Sequence, residues 1–116
     1  MTSIPLSRAL VRLLRTRFAA PLPDDVADKM RQHVADTLGT ALAASADPGL
    51  GASVLAGMAA GGARGDALVL GSRVALPPAS AAFVNAAYAH ILDFDDIHDE
   101  ARLHPTPVAL SAALAV

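Results

Sequence analysis

Val26, Met30, Val34, Leu38 and Leu42 recur at strict four-residue steps. That spacing stacks apolar side chains along one side of an α-helix, and it is the strongest periodic signal in the chain. Asp24 caps this helix and Asp25 falls in its first turn, where the helix dipole favours negative charge. Pro21 and Pro23 stand just before it, and Asp47, Pro48 and Gly49 end it. Gly39 lies inside it at a cost in helix propensity, which leads us to expect another backbone close by at that point.

The flanking segments follow the same logic. Leu6, Leu10, Leu13, Leu14 and Phe18 share one face of a first helix that ends near Ala20. Arg8, Arg12 and Arg15 fall on another face. With Arg17 and no acid before Asp24 they also give the look of an organelle transit peptide, but an amphipathic helix accounts for them. A third helix carries Leu50, Val54, Leu55 and Met58 before Gly61 and Gly62. The stretch Asp66 to Leu76 reads as two short strands around a Gly71-Ser72 turn. Pro77 and Pro78 restart the helical pattern, with Phe83, Ala87, Tyr88, Ile91 and Leu92 on a common side. Pro105 and Pro107 open a last, alanine-rich helix. The fold class is therefore mainly α with one short β-hairpin near 66–76. Phe18, Phe83, Tyr88 and Phe94 are the only aromatics, so the helices are expected to approach closely rather than pack around large rings. The apolar ending without a capping residue suggests the front part of a longer protein.

Composition removes several function classes. The 116 residues include no cysteine, so neither a disulfide framework nor a thiolate metal site is available, and cytoplasm is the default location. Lys29 is the one lysine, the net charge is -2, and no basic run follows Arg17, which argues against nucleic acid. The uncharged stretch Val74 to Leu92 contains Pro77, Pro78, Ser80, Asn85 and His90 and reads as a buried helix, not a membrane span.

The chemistry is concentrated in "AHILDFDDIHDEARLHP", Ala89 to Pro105, where a helix end, a polar loop and a helix start meet. One reading is a solvated connection, in which acids and histidines carry no function. A second is a magnesium site on Asp95, Asp96 and Asp99, since "DDIHD" resembles the aspartate-rich element of isoprenoid diphosphate synthases; the basic partners that a diphosphate needs are missing. A zinc site from His98, His104 and a carboxylate lacks a recognised ligand spacing. The remaining reading is proton transfer. Asp93 at a helix C-terminus meets the negative end of a dipole, and His104 at a helix start meets the positive end, which is a tuning that suits an acid and a neutral base. The same helix start offers N–H groups to a substrate carboxylate.

Ala81 to Val116 strongly resembles the MmgE/PrpD family, which includes 2-methylcitrate dehydratase, cis-aconitate decarboxylase and iminodisuccinate epimerase. The resemblance rests on Asn85, His90, the Asp-Phe-Asp-Asp run Asp93 to Asp96, and His104-Pro105. It extends upstream through "LPDDVADKMRQHVADTLGTALAAS" and "ALVLGSRVALPPASAAFVN". It implies that residues 1–116 are the N-terminal part of an all-helical domain, with the rest of that domain and an α/β lid domain following. It also implies a homodimer, no metal and no organic cofactor. The activity implied is dehydration, decarboxylation or epimerisation of a small di- or tricarboxylic acid by proton removal and return beside a carboxylate. Asp93 and His104 match the family's active-site carboxylate and histidine; Asp96, His90 and Asn85 match neighbours that support the site or touch substrate. Ile97 stands where decarboxylase-like members carry a threonine, which argues against cis-aconitate, and the family's active-site lysine would lie beyond Val116. The alternative is a non-catalytic helical fragment that keeps a dimer-forming surface.

Overall fold

The computed structural model describes residues 4–116. The chain divides into two units, Met1–Met30 and Arg31–Val116. The first contains α1 (Leu6–Phe18) and the opening turns of α2 (Asp24–Ser45). Pro5 precedes α1 with φ -53°, and the Thr16 hydroxyl donates to the Arg12 carbonyl at 2.9 Å. No residue of α1 is buried, so the apolar side anticipated from Leu6, Leu10, Leu13, Leu14 and Phe18 is an exposed one.

The second unit holds the rest of α2, then α3 (Leu50–Ala59), β1 (Ala67–Leu68), β2 (Ala75–Leu76), α4 (Pro78–Ile91) and α5 (Pro105–Leu114). The strands pair antiparallel with Ala67 opposite Leu76 and Leu68 opposite Ala75, as the pattern around Gly71-Ser72 requires. Gly71 sits in the turn at φ +69°, a backbone setting that glycine adopts without a steric penalty. A methyl group there would also collide with the Ser45 side chain.

Small residues make the core. Ala41, Ala44, Ala67, Val69, Leu76, Ala81, Val84, Tyr88, Ala89 and Ala115 form one buried cluster, in which Tyr88 is the only large ring. Burial raises the Tyr88 phenol above its ordinary pKa, so the ring packs as a neutral group. The buried side of α2 is Thr37, Ala41 and Ala44, not the stripe of larger residues: Val26, Met30 and Leu42 are exposed.

The close backbone approach expected at Gly39 occurs at Gly51 instead. A methyl group on Gly51 would run into the carbonyl of Ala44, whereas Gly39 faces open space. The approach is made where α2 turns back into α3, and the Asp47 carboxylate holds that turn by accepting N–H bonds from Gly49 at 3.0 Å and Leu50 at 2.7 Å.

Asn85 fastens the hairpin to α4. Fully buried, it donates through Nδ2 to the Leu68 carbonyl and accepts through Oδ1 from the Leu70 N–H, both at 2.9 Å. A two-stranded ribbon is marginal alone, and this amide gives it a fixed partner. Replacing Asn85 with Ala removes both bonds, and urea denaturation is expected to show a loss of about 2–3 kcal/mol. A loss below about 0.5 kcal/mol would contradict the role given to the amide.

Candidate functional site: two histidines around a buried aspartate

The site begins where α4 ends. Leu92 caps the helix, and Asp93 takes a left-handed conformation at φ +55° while its N–H donates to the His90 carbonyl at 2.9 Å. This setting costs a residue with a β-carbon roughly 1–2 kcal/mol, and aspartate is among the few that visit it. Its effect is to reverse the chain, so that Asp95 returns to His90 five positions back. The loop then closes on itself through the His98 N–H and the Leu103 carbonyl at 2.8 Å, and through the Ala101 N–H donating to His98 Nδ1 at 3.1 Å. Asp96 fastens its far end: it accepts from the Thr106 N–H at 3.2 Å and from the Thr106 hydroxyl at 2.7 Å. Those bonds supply acceptors to the first turn of α5, whose own cap residue, His104, makes no side-chain capping bond.

At the centre is Asp95, whose side chain has no exposed surface. His90 Nδ1 lies 3.0 Å from Asp95 Oδ2 and 3.1 Å from Oδ1. His104 Nδ1 lies 3.0 Å from the same Oδ2. The two contacts differ in kind: the first is a hydrogen bond, while His104 Nδ1 is a buried atom whose line to the oxygen misses hydrogen-bond alignment. The 3.0 Å separation is a short contact with poor directionality. The rings stand nearly edge to face, with centroids 4.9 Å apart and planes inclined by 66°. Among the described residues, no lysine or arginine reaches Asp95, so its charge is compensated by imidazole alone.

These groups border a recess of about 310 Å³, at the small end of the range for ligand pockets. Its walls are apolar: Phe83, Ala86 and Ala87 from α4, Pro107 and Val108 from α5. Phe83 and Ala87, placed by their spacing on a common side with Tyr88, do not share its burial. The buried side of α4 is instead Ala81, Val84, Asn85, Tyr88 and Ala89, leaving the other side for the recess. A helix apolar nearly all round carries too weak a periodicity to mark which side is which.

The candidate residues are thus separated into distinct places. His104 and His90 come together, and the residue joining them is Asp95, which the sequence had left in the loop. Asp93 is exposed, with no side-chain hydrogen bond or ion pair among the described residues. Asp96 caps α5, and its Oδ2 is also 3.9 Å from His33 Nδ1. Asn85 has both polar ends taken up by the hairpin. His98, Asp99 and Glu100 are exposed. Asp95, Asp96 and Asp99 do not converge as a magnesium site would require, since the first two are turned to different partners. Ligand atoms of His90, Asp95 and His104 do lie within 4.8 Å of one another, a nitrogen–nitrogen–oxygen set of the kind that zinc accepts.

A mainly helical unit thus gathers two imidazoles and a carboxylate, groups able to take up and release protons, at the edge of an apolar recess. Residues 9–116 match the MmgE/PrpD N-terminal domain, and the chain belongs to that family. No curated protein and no solved structure gave a significant match. Among the described residues, no helix is long and apolar enough to cross a membrane.

The cap on α5 gives a direct test of how the site loop is held. Changing Asp96 to Ala is expected to lower stability by about 1 kcal/mol in chemical denaturation. An unchanged midpoint would mean that the bonds to Thr106 do not hold the loop.

Proposed function

We propose that this segment carries part of the active site of a cofactor-independent lyase or isomerase of the 2-methylcitrate dehydratase type. The observation that carries the reading is His104 itself. It lines the recess at the start of α5, with Nδ1 buried against Asp95 and Nε2 left as the nitrogen able to accept a proton. In the dehydration form of the reaction, Nε2 takes the proton from a carbon beside a substrate carboxylate. The electron pair of that C–H bond becomes the new C=C bond, and the hydroxyl on the adjacent carbon leaves as water with a proton from an acid. Asp93 is the acid that the family resemblance assigns. Its carboxylate is exposed and makes no side-chain hydrogen bond or ion pair among the described residues, which suits a group that must reach substrate.

The recess presents no cation among its lining residues. A di- or tricarboxylic acid needs one or more, because paired hydrogen bonds from lysine or arginine are what fix a carboxylate in place. The proposal therefore has the lysine of the family site and the remaining substrate contacts arise from parts of the fold past residue 116, with the α/β domain closing over them. A homodimer is part of the same proposal.

Turnover of 2-methylcitrate and related acids by the protein carrying this segment tests the reading. His104→Ala is expected to lower kcat by roughly 10²–10⁴-fold, the usual contribution of a positioned base. Full activity would remove His104 from the mechanism. Asp93 has two roles to separate, as turn residue and as acid, and glycine separates them. Asp93→Gly is expected to retain stability, since glycine accepts φ +55° freely, yet to lose activity with the carboxylate. Retained activity would leave Asp93 as a turn residue only.

A further inference from the structure

We infer that Asp95 is a positioning residue that sets the tautomer of two histidines at once, holding His90 and His104 both with the proton on Nδ1. The inference deepens the proposed function and rests on it for its catalytic meaning, though the tautomers themselves are a property of the segment. The argument starts from burial. Asp95 has no exposed side-chain surface and, among the described residues, no cationic side chain against it other than imidazole, so an ionised carboxylate there needs N–H donors. The atoms supplied are His90 Nδ1, in a hydrogen bond at 3.0 Å, and His104 Nδ1, buried at the same distance but off the hydrogen-bond line, both on Oδ2. A neutral imidazole with Nδ1 unprotonated would place a lone pair against that oxygen, which is repulsive. Protonation at Nδ1 turns the same short contact into an attraction.

The consequence lies at the far side of each ring. With Nδ1–H facing Asp95, Nε2 of each imidazole is the acceptor, and His104 and His90 both border the recess. The two are not equivalent: the His90 side chain is 56% exposed and His104 32%. His104 is accordingly the better shielded base, and His90 the one in contact with water. When His104 takes up a proton, the Asp95 charge stands directly behind the imidazolium and stabilises it without itself becoming protonated.

Alanine is the informative substitution. Both Nδ1 atoms meet the same carboxylate oxygen, so removing the carboxylate takes the acceptor from both at once. Nothing then holds the proton on Nδ1, and an imidazole that carries it on Nε2 instead loses its basic Nε2.

Histidine-labelled ¹⁵N NMR on the 116-residue chain reads this without any substrate. Above the titration range of the imidazoles, His90 and His104 are expected to show protonated Nδ1 and unprotonated Nε2 signals, and Asp95→Ala is expected to move the proton to Nε2 in at least one of the pair. A wild-type spectrum with His104 protonated on Nε2 would overturn the inference, and that spectrum is decisive even if the variant does not fold. So would a folded Asp95→Ala variant in which both tautomers are unchanged. In the catalytically competent protein, Asp95→Ala is expected to reduce kcat by roughly 10²-fold or more with KM little changed. Wild-type activity in this variant would also overturn it, whereas the absence of any turnover in the wild type would refute the proposed function and leave the NMR result standing.

Discussion

The carboxylate of Asp95 is the constraint around which the polar part of the segment is arranged. It is a charge with no exposed surface, answered by imidazoles from the end of one helix and the start of another. A buried ion of this kind is tolerated only where donors are fixed in place, because the desolvation cost is several kcal/mol if it is left unpaired. The fixing is local and traceable. Asp93 turns the chain back at φ +55°, Asp96 grips the first turn of α5, and His98 closes the loop between them. Each acidic residue of the Asp-Phe-Asp-Asp run has a different task. That explains why a cluster that looks like a cation site by composition does not form an aspartate-rich one.

The apolar scaffold serves the same end. α4 and α5 pack on each other, with small residues such as Ala81, Ala89 and Ser111 buried. Short side chains bring helix backbones near, and nearness is what lets His90 on α4 and His104 at the start of α5 share one oxygen. Tyr88 and Val84 give the core its bulk on one side of α4, while Phe83 on another side borders the recess. One helix thereby separates a dry core from a ligand-sized opening.

Much of this was legible in the residues, and the failures have physical causes. Among the described residues, the prolines mark the element boundaries well: Pro21 and Pro23 separate α1 from α2, Pro48 separates α2 from α3, and Pro78 and Pro105 open α4 and α5, because proline acts through its own backbone geometry. The four-residue stripe in α2 gave the helix correctly but does not mark its buried side, since periodicity reports apolarity and not which side the fold covers. Gly39 and Gly51 illustrate the same limit: a glycine signals permission for close approach, and only the fold decides where it is used. In the site, the spacing of His104 from the Asp-Phe-Asp-Asp run brought the family into view, and the match over residues 9–116 agrees with it. What could not be read was Asp95. Neighbouring aspartates are chemically identical in sequence, and the left-handed turn at Asp93 determines which of them points inward.

The central claim is that the recess bordered by His104 moves a proton at a carbon beside a carboxylate. Solvent isotope exchange tests it most directly, since exchange reports proton removal even when no net product forms. In D₂O, the protein is expected to incorporate deuterium next to a carboxylate of 2-methylcitrate or a related acid, and His104→Ala is expected to suppress that incorporation. Equal incorporation in both proteins, or none in the wild type with any of the acids offered, would contradict the account.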